Sequence, residues 1–461
     1  MEGDTYGTYV SYFSIVKTFG AFPYNLEGHS RRLKLCTSGP YYWLYIINFA
    51  GATFHAFFQL FQLFFAFMEG LDLEVIISQV SWMLLATLPI ANYLKSVGEE
   101  RHFAGVVDEW CHLERRIIGS TFRGLGKHRQ SPTMSTCHFK QKDRFSFISK
   151  YYMFIGLIGA VAVGCHSYMA PKSHAYLYSL AEMDSEVFLY LSVVYQLWIY
   201  SIIWSNVYAI EVLTTVMSSS VGHILETLSY KGGVVMTRWT CDHVPVTDLI
   251  NNNNRSVATV DADERSHPAS AILDKANRKG SALFGQGAED LQEFFPKTEM
   301  SKIIQNLVDI EFGLEGYLRV ESLIEAFNHS FARMIPGHQF AYLLMLTIQG
   351  FNVIQYFSSM SPGGVTLYMV LITLFLMRML TFFPAMGNLD HRSDSFIDSW
   401  MEGLRYIPKG KQSYELYWYR IKSCRLLDFR CGRYFNMERQ TCLEFLFRVS
   451  EFVIVLMQIS Y

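Results

Sequence analysis

Long stretches without a charged residue dominate the pattern of the chain. A membrane-spanning helix needs about 20 mostly apolar residues, and stretches of this kind recur along the sequence. The predicted spans are Tyr42–Met68, 75–94, 151–171, 187–210, 338–359, 365–387 and 440–461. A turn sequence, Ser-Met-Ser-Pro-Gly-Gly at 359–364, separates the fifth span from the sixth. The pattern therefore predicts an all-α integral membrane protein with seven transmembrane helices.

Composition supports a membrane protein and gives no reason to expect nucleic acid as a partner. Hydrophobic residues make up 51% of the chain and charged residues 17%, whereas a soluble domain carries about 25% charge. The formal net charge is −2, so no strongly basic surface is predicted.

Positive charge lies almost entirely on one side of the predicted membrane. Of the 39 Lys and Arg residues, all except Lys172, Arg378 and Arg448 fall before the first span or in the second, fourth and sixth connections. Positively charged loops stay in the cytoplasm. We therefore expect a cytoplasmic N-terminus and an extracellular C-terminus, the reverse of a G-protein-coupled receptor.

The connections on the predicted inner side are long, and parts of them have helical character. The predicted regions are 1–41, a cytoplasmic N-terminal segment; 42–216, transmembrane helices 1–4 with a cytoplasmic loop at 95–150; 217–337, a cytoplasmic region with a flexible insertion at 232–297 and an amphipathic helix at 298–334; 338–387, helices 5 and 6; 388–439, a cytoplasmic anchor helix; and 440–461, helix 7. Apolar residues recur at helical spacing in 298–334 and 413–428. We expect helical extensions that pack into an intracellular anchor domain; the alternative is helices that lie flat on the bilayer.

The last predicted span carries its polar residues on one face. Glu444, Arg448, Glu451, Val455 and Gln458 are spaced 4, 3, 4 and 3 residues apart, which aligns them along a helix. Several copies of such a helix around an axis would line a cation pore, with Gln458, Val455 and the adjacent Ile454 at a narrow gate and Glu451 as a ring of carboxylates. Alternatively, the stripe packs inside one bundle, and Glu444 pairs with Arg448.

The C-terminal sequence and the predicted topology resemble those of the insect gustatory and odorant receptor superfamily. The gustatory branch ends in Thr-Tyr, five hydrophobic residues and Gln-Phe. Here the corresponding residues are Glu451-Phe452, then Val-Ile-Val-Leu-Met at 453–457, then Gln458-Ile459. The hydrophobic run and Gln458 match, whereas Glu451, Phe452 and Ile459 depart from the pattern.

The resemblance implies a ligand-gated, nonselective cation channel in the plasma membrane of sensory dendrites, embedded in membrane lipids. It implies a homo- or hetero-tetramer whose C-terminal helices surround one pore, and a ligand pocket in the outer half of each subunit. The ligand would be a small-molecule tastant or odorant. A gustatory-type receptor is favoured over an odorant-type subunit of the same superfamily.

The predicted topology places several aromatic, amide and hydroxyl side chains in the outer half of the spans. Such groups suit a small neutral organic ligand. The candidates are Ser78 and Trp82 in span 2; His166 in span 3; Tyr195, Gln196 and Trp198 in span 4; and Gln349, Asn352, Gln355 and Tyr356 in span 5. The face shared by Gln349, Asn352 and Tyr356 is the strongest candidate. Alternatively, the aromatic residues form interface belts and the amides join helices by hydrogen bonds.

Other chemistry has no support in the sequence. Neither paired metal-ligand spacing nor a phosphate loop, a nucleophile elbow or an HExxH motif occurs. We therefore expect no catalytic residues, no metal site and no cofactor. A multispan transporter would require internal repeat symmetry, and a metabotropic seven-helix receptor would require the opposite orientation.

The orientation predicts that the two acceptor sequons carry no glycan. Asn254-Arg255-Ser256 and Asn328-His329-Ser330 both fall on the cytoplasmic side, where N-glycosylation does not occur. Endoglycosidase treatment should leave the electrophoretic mobility of the expressed chain unchanged, and Asn254→Gln should migrate like the unsubstituted chain. A glycan on Asn254 would overturn the orientation.

Overall fold

A computed structural model describes residues 17, 20, 23–26, 33–98, 100–124, 132–180, 185–241, 297–331, 334–404, 412–438 and 440–460. The rest of the chain, including most of the insertion predicted at 232–297, lies outside the described residues.

Helices account for most of the described chain. They are α1 (Pro40–Met68), α2 (Leu73–Gly98), α3 (Glu100–Gly124), α4 (Pro132–Met169), α5 (Glu186–Cys241), α6 (Lys297–Phe331), α7 (Met334–Tyr356), α8 (Pro362–Leu404), α9 (Gln412–Lys422) and α10 (Thr441–Ser460). Two small antiparallel pairs join β1 (Tyr24–Leu26) to β2 (Leu33–Leu35) and β3 (Arg430–Cys431) to β4 (Phe435–Asn436). The predicted all-α class is confirmed.

Among the described residues, five helices are long and apolar enough to cross a membrane. These segments are Pro40–Met68, Val75–Gly98, Lys150–Met169, Glu186–Ser229 and Pro362–Glu402. The other two predicted spans are also helical, as α7 and α10, but both are more polar. Helix α7 buries His338, Gln349 and Asn352, and α10 carries three charged residues. The count of seven crossings therefore stays a prediction.

Two helices extend well beyond the segments predicted to span the membrane. Helix α5 has 56 residues, about 84 Å at 1.5 Å per residue, whereas the hydrocarbon core of a bilayer is about 30 Å thick. Helix α8 has 43 residues and is about 64 Å long on the same basis. Helix α5 continues to Cys241 and so includes the first ten residues of the insertion predicted at 232–297.

Local sequence explains where α1 begins and ends. Pro40 occupies the first helical position, where its missing N–H group costs nothing. At the other end, Gly70 has a φ of 64°, which favours glycine. The N–H group of Gly70 donates to the Phe67 carbonyl at 3.3 Å, and that of Leu71 donates to the Ala66 carbonyl at 3.0 Å. This Schellman arrangement satisfies carbonyls that the helix end would otherwise leave free.

The chain forms two compact units. Unit 1 comprises Met1–Ile224, Ser322–His391 and Leu427–Tyr461, and unit 2 comprises Leu225–Glu321 and Arg392–Leu426. Unit 1 contains the apolar helices and α10, and unit 2 contains the far ends of α5 and α8 with most of α6 and all of α9.

The core of unit 2 is built around the fully buried Trp400. Its indole N–H donates to the Leu228 carbonyl at 3.2 Å. The Tyr317 ring stacks on Phe396 with centroids 4.4 Å apart, and its hydroxyl donates to the Arg425 carbonyl at 2.6 Å. These contacts join α5, α6, α8 and the segment that follows α9. The intracellular anchor domain stays a prediction.

An ion pair further orients α9 on α6. The Arg420 guanidinium donates to both carboxylate oxygens of Glu311, at 2.5 Å and 3.0 Å. Both side chains are partly exposed, so the pair contributes little stability but fixes the direction in which α9 runs.

Gly313 is predicted to be essential for the packing of Trp400. A Cβ atom at Gly313 would lie 2.4 Å from two ring atoms of Trp400, and a buried indole has little room to move. We expect Gly313→Ala to destabilise the protein by about 1–3 kcal/mol. The thermal midpoint of the purified, detergent-solubilised protein measures this effect.

Gly105 provides the matched control. It is also helical, and a Cβ atom there would meet nothing within 4 Å, so Gly105→Ala should leave the midpoint unchanged or raise it slightly. Equal midpoints for the two variants would contradict the packing described for Trp400.

Candidate functional site

Three buried aromatic rings meet where α5, α7 and α8 face one another in unit 1. The ring centroids of Trp204 and Phe375 are 5.7 Å apart, and those of Phe375 and Tyr342 are 5.4 Å apart. All three side chains are buried, and distances in this range are favourable for aromatic pairs. These three rings are called the aromatic layer. The inner side of the layer is the side towards the start of α7. The outer side is the side towards the end of α7 and the starts of α5 and α8.

A buried ion pair lies on the inner side of the aromatic layer. Arg378 of α8 donates through Nε to the Glu211 carboxylate of α5 and through Nη2 to the Tyr342 hydroxyl. The Tyr342 hydroxyl donates in turn to Glu211 at 3.0 Å. The Arg378 guanidinium also lies 3.7 Å from the centre of the Tyr342 ring. Because an isolated charge is costly inside a membrane protein, Glu211 and Arg378 each depend on the other.

Hydrogen bonds extend this pair to α2. The Nδ2 group of Asn92 donates to Asn206 at 3.0 Å, and the Oδ1 of Asn92 lies 2.9 Å from His338 Nε2. Since Asn92 accepts through this oxygen, His338 donates through Nε2. Its Nδ1 lies 3.4 Å from the Glu211 carboxylate. We call these polar side chains, together with Arg378 and Tyr342, the ionic network; it ties α2, α5, α7 and α8 together.

On the outer side of the aromatic layer, amide and hydroxyl side chains lie at similar heights on several helices. Each of these side chains lies seven to ten residues along its helix from the ring that this helix contributes to the aromatic layer. They are Gln196 on α5, Gln349 and Asn352 on α7, and Tyr368 on α8. At 1.5 Å per residue, they lie about 10–15 Å from the layer. Tyr368 is hydrogen-bonded to Ser78 of α2, with the hydroxyl oxygens 2.7 Å apart. We call this part of unit 1 the outer polar region.

Several polar atoms in the outer polar region lack a hydrogen-bond partner among the described residues. They are both side-chain amide atoms of Gln196 and of Asn352, the Oε1 of Gln349 and the hydroxyl of Tyr200. Each of these side chains is at most 2% exposed. A buried polar group without a partner costs about 1–3 kcal/mol, so these atoms are a cost to the fold unless another group meets them.

Aromatic side chains surround the Tyr200 hydroxyl. The Tyr200 ring meets Trp82 of α2 edge to face at 5.6 Å and His55 of α1 at 5.5 Å. The Tyr195 hydroxyl lies 3.3 Å from His55 Nδ1. Helices α1, α2 and α5 therefore supply a wall of rings to the outer polar region.

The connection between α4 and α5 is held over the same end of unit 1. The Tyr176 hydroxyl lies 2.5 Å from His166 Nδ1 of α4. The Gln59 side chain of α1 donates to the Ala175 carbonyl at 3.0 Å. Burial, and secondarily the nearby Tyr368, raise the pKa of the Tyr176 hydroxyl above its ordinary value, so this phenol stays neutral.

Of the sequence-predicted ligand residues, Trp82 and Tyr195 lie in the wall of rings, Ser78 bonds to Tyr368, and His166 bonds to Tyr176. Gln196, Gln349 and Asn352 are buried at similar heights on α5 and α7. That these residues line one ligand site stays a prediction. Trp198 is 37% exposed and packs on α1, where a Cβ atom at Gly51 would lie 2.6 Å from its ring. Gln355 and Tyr356 are half-buried at the end of α7.

His55, Gln59 and Tyr200 also lie among these side chains, but they were not predicted from the sequence. A signal existed for the first two, because His55, Gln59 and Gln62 recur at spacings of four and three in a charge-free helix, which aligns them on one face. The sequence also indicates the Glu211–Arg378 pair, since opposite charges stand at the edge of span 4 and within span 6. Tyr200 is one of many aromatic residues and has no distinguishing pattern.

Helix α10 packs against α7 with one face and leaves the other exposed. Val453 is buried, and a Cβ atom at Gly350 of α7 would lie 3.4 Å from it. Val455 and Ile454 are 46% and 54% exposed; Gln458 is exposed and Glu451 is intermediate. Arg448 donates to Glu451 at 2.7 Å. Because most of its members are exposed, the polar stripe does not face the interior of unit 1.

Removal of one partner of the buried ion pair is predicted to be far more damaging than removal of both. Arg378→Met leaves the Glu211 carboxylate buried without its cation, at a cost of about 3–5 kcal/mol. We expect a large loss of monodisperse protein in size-exclusion chromatography. Combining it with Glu211→Gln removes the stranded charge and should restore much of the yield.

Arg448→Met provides the matched control, because Arg448 is 66% exposed in its ion pair with Glu451. Its yield should equal that of the unsubstituted chain. Similar yields for Arg378→Met and Arg448→Met would contradict the role assigned to the buried pair.

No family model matches the sequence, and no curated protein is similar to it at a significant level. Solved structures do match the fold. The insect olfactory receptor OR5 from Machilis hrabei superposes with a TM-score of 0.68 at 8% identity, covering 99% of this chain and 100% of the receptor. The same receptor in complex with eugenol superposes with a TM-score of 0.63 at 9% identity, covering 97% of each chain. The chain has the fold of the insect olfactory receptors.

Proposed function

We propose that this chain is a chemosensory, gustatory-type receptor of the insect gustatory and odorant receptor superfamily. In this proposal it acts as a ligand-gated, nonselective cation channel in the plasma membrane of a sensory dendrite. Four subunits, identical or related, surround a central pore lined by α10. The likeness in fold over nearly the whole chain and the C-terminal run ending in Gln458 support the assignment to the superfamily.

The exposed polar stripe of α10 carries the channel proposal. Glu444, Arg448, Val455 and Gln458 are exposed, although α10 buries its opposite face within unit 1. Charged and amide side chains that face lipid are costly, so the stripe must face water or neighbouring subunits. One helix cannot enclose a water-filled path, whereas several copies around an axis can.

The outer polar region supports a ligand site in each subunit. Its buried amides and its aromatic wall fit a small neutral organic molecule, and the solved neighbour was captured with such a molecule, eugenol. Helix α7 carries Gln349 and Asn352 into this region and also packs against α10 at Gly350. A ligand that moves α7 would therefore act directly on the proposed pore helix.

An odorant-type subunit of the same superfamily is the second candidate. Both reported structural neighbours are olfactory receptors, whereas the gustatory assignment depends on the C-terminal signature. A panel containing both tastants and volatile odorants, applied to cells that express the chain alone, separates these two candidates.

The pore proposal predicts that cysteines on the stripe become accessible to a water-borne thiol reagent. We expect external, positively charged methanethiosulfonate to block ligand-evoked current through Gln458→Cys and Val455→Cys, because both side chains would face the ion path. Whole-cell recording of the current before and after the reagent measures the block.

Leu456→Cys is the matched control, since Leu456 is next to Val455 and only partly buried but lies two residues before Gln458, on the other side of the helix from it. It should retain its current, as should the unsubstituted chain. Equal sensitivity of Gln458→Cys and Leu456→Cys would refute the proposed pore face, and a current that disappears in excised patches without GTP would favour a metabotropic receptor.

A further inference from the structure

A short hairpin precedes α10 and presents exposed aromatic side chains at its tip. The turn between β3 and β4 contains Gly432, whose φ of 62° favours glycine. The N–H group of Tyr434 closes this turn by donating to the Cys431 carbonyl at 3.1 Å. Tyr434 is 83% exposed and Phe435 is 41% exposed. We call residues 430–436 the aromatic hairpin.

The base of the aromatic hairpin is fixed, so the exposure of its tip is not that of a loose loop. The Asn328 side chain near the end of α6 accepts from the Arg430 N–H at 2.9 Å and donates to the Asp428 carbonyl at 3.0 Å. The fully buried Phe429 meets Phe327 of α6 edge to face, with ring centroids 4.8 Å apart. The tip therefore projects from a base that is packed on α6.

The segments beside this base lead into two predicted membrane spans. Helix α6 ends at Phe331, and α7 begins at Met334. Strand β4 ends five residues before α10 begins at Thr441, and the Thr441 N–H donates to the Glu438 carbonyl at 3.2 Å in the intervening turn. On the predicted topology both spans leave the cytoplasmic surface of the membrane here, so the aromatic hairpin lies at that surface.

The charge of this segment is complementary to that of the inner leaflet. Residues 425–439 contain four arginines and two acidic residues. Arg430 is 61% exposed, although it lies 3.5 Å from the Asp428 carboxylate. Arg433 is exposed and takes part in none of the ion pairs between described residues. Groups of about four to eight basic residues next to a span attract the anionic lipids of the cytoplasmic leaflet.

The bilayer surface suits both kinds of side chain at the tip. Tyrosine and phenylalanine rings next to a polar layer are favoured where headgroups meet acyl chains. The arginine guanidinium matches phosphate oxygens with two parallel hydrogen bonds. Water would leave the rings exposed, and a protein partner would have to supply acidic groups, whereas an anionic bilayer offers an apolar layer and phosphates side by side.

We propose that the aromatic hairpin is a binding site for anionic lipid of the inner leaflet. Tyr434 and Phe435 enter the interfacial layer of the bilayer, and Arg430 and Arg433 bind the lipid phosphate groups. The bound lipid holds the start of α10 at the membrane surface. This site goes beyond the proposed receptor function and does not depend on whether the chain conducts ions.

Photocrosslinking identifies what covers the tip. The photoreactive amino acid p-benzoylphenylalanine replaces Tyr434 in the full chain, which is reconstituted in nanodiscs of phosphatidylcholine and phosphatidylserine and then irradiated. We expect mass spectrometry to find a phosphatidylserine adduct on the chain. A chain-to-chain adduct without any lipid adduct would show that a second copy covers the hairpin, and that result overturns the proposal, as does the absence of any adduct.

Lipid titration tests the two arginines. The thermal midpoint of the full chain in detergent is recorded with dioctanoyl phosphatidylserine, with dioctanoyl phosphatidylcholine and with inorganic phosphate. A ligand that binds only the folded state raises the midpoint in a saturable way. Only the anionic lipid should do so, and Arg430→Gln and Arg433→Gln should each weaken its binding about fivefold. Both side chains are exposed, so the lipid-free midpoints should be unchanged.

Helix α9 provides the matched controls. Tyr419 is 66% exposed and Lys422 is exposed, so α9 also presents a ring and a cation. Its Arg420, however, pairs with Glu311 of α6, about 30 Å along α6 from the end of that helix. The photoreactive amino acid at Tyr419 should give no lipid adduct, and Lys422→Gln should keep the lipid affinity of the unsubstituted chain.

The remaining outcomes all count against the site. Equal losses of lipid affinity in Lys422→Gln and Arg433→Gln would show general attraction of lipid to basic residues, which overturns the assignment to the hairpin. An equal yield of lipid adduct at Tyr419 and Tyr434 would do the same. Stabilisation by inorganic phosphate as strong as that by phosphatidylserine would show a free-phosphate site and overturn the assignment to lipid.

Discussion

The ion pair between Glu211 and Arg378 is the constraint around which unit 1 is organised. Neither charge can be buried without the other, and the pair is complete only when α5 and α8 are in register. Tyr342 and His338 bring α7 to the same point, and Asn92 brings α2. One electrostatic requirement thus fixes the relative heights of four helices. The aromatic layer and the outer polar region inherit their alignment from that register.

Much of the fold follows from the sequence because lipid imposes a simple rule. A helix that crosses the hydrocarbon core must be long and apolar, so charge-free runs locate α1, α2, α4, α5 and α8. The extent of α5 to Cys241 does not follow from that rule. Beyond the apolar run, the helix persists through packing around Trp400 in unit 2, and such contacts involve residues far apart in the chain. The polarity of α7 reflects the groups it packs against inside the protein, whereas that of α10 lies on its exposed face. Hydropathy alone identifies neither arrangement.

The candidate site was predictable in part, for equally physical reasons. Gln349 and Asn352 stand out because two amides share one face of an otherwise apolar helix, and both are buried. Tyr200 and His55 become significant only through the rings they contact on other helices. The Glu211–Arg378 pair joins residues 167 positions apart, so its partners were visible in the sequence but their contact was not. Local pattern identifies which groups are unusual, and tertiary contact decides which of them act together.

The position of Gly350 constrains how this protein can evolve. Gly350 approaches Val453 of the proposed pore helix, while Gln349 and Asn352, one and two residues away in the chain, enter the proposed ligand region. On the proposed arrangement, recognition and gating are encoded within a single turn of α7. A substitution that retunes ligand preference there also alters the surface against which the pore helix rests. New specificities in this lineage would therefore carry changes in resting activity, and they would persist only with compensating changes in α10.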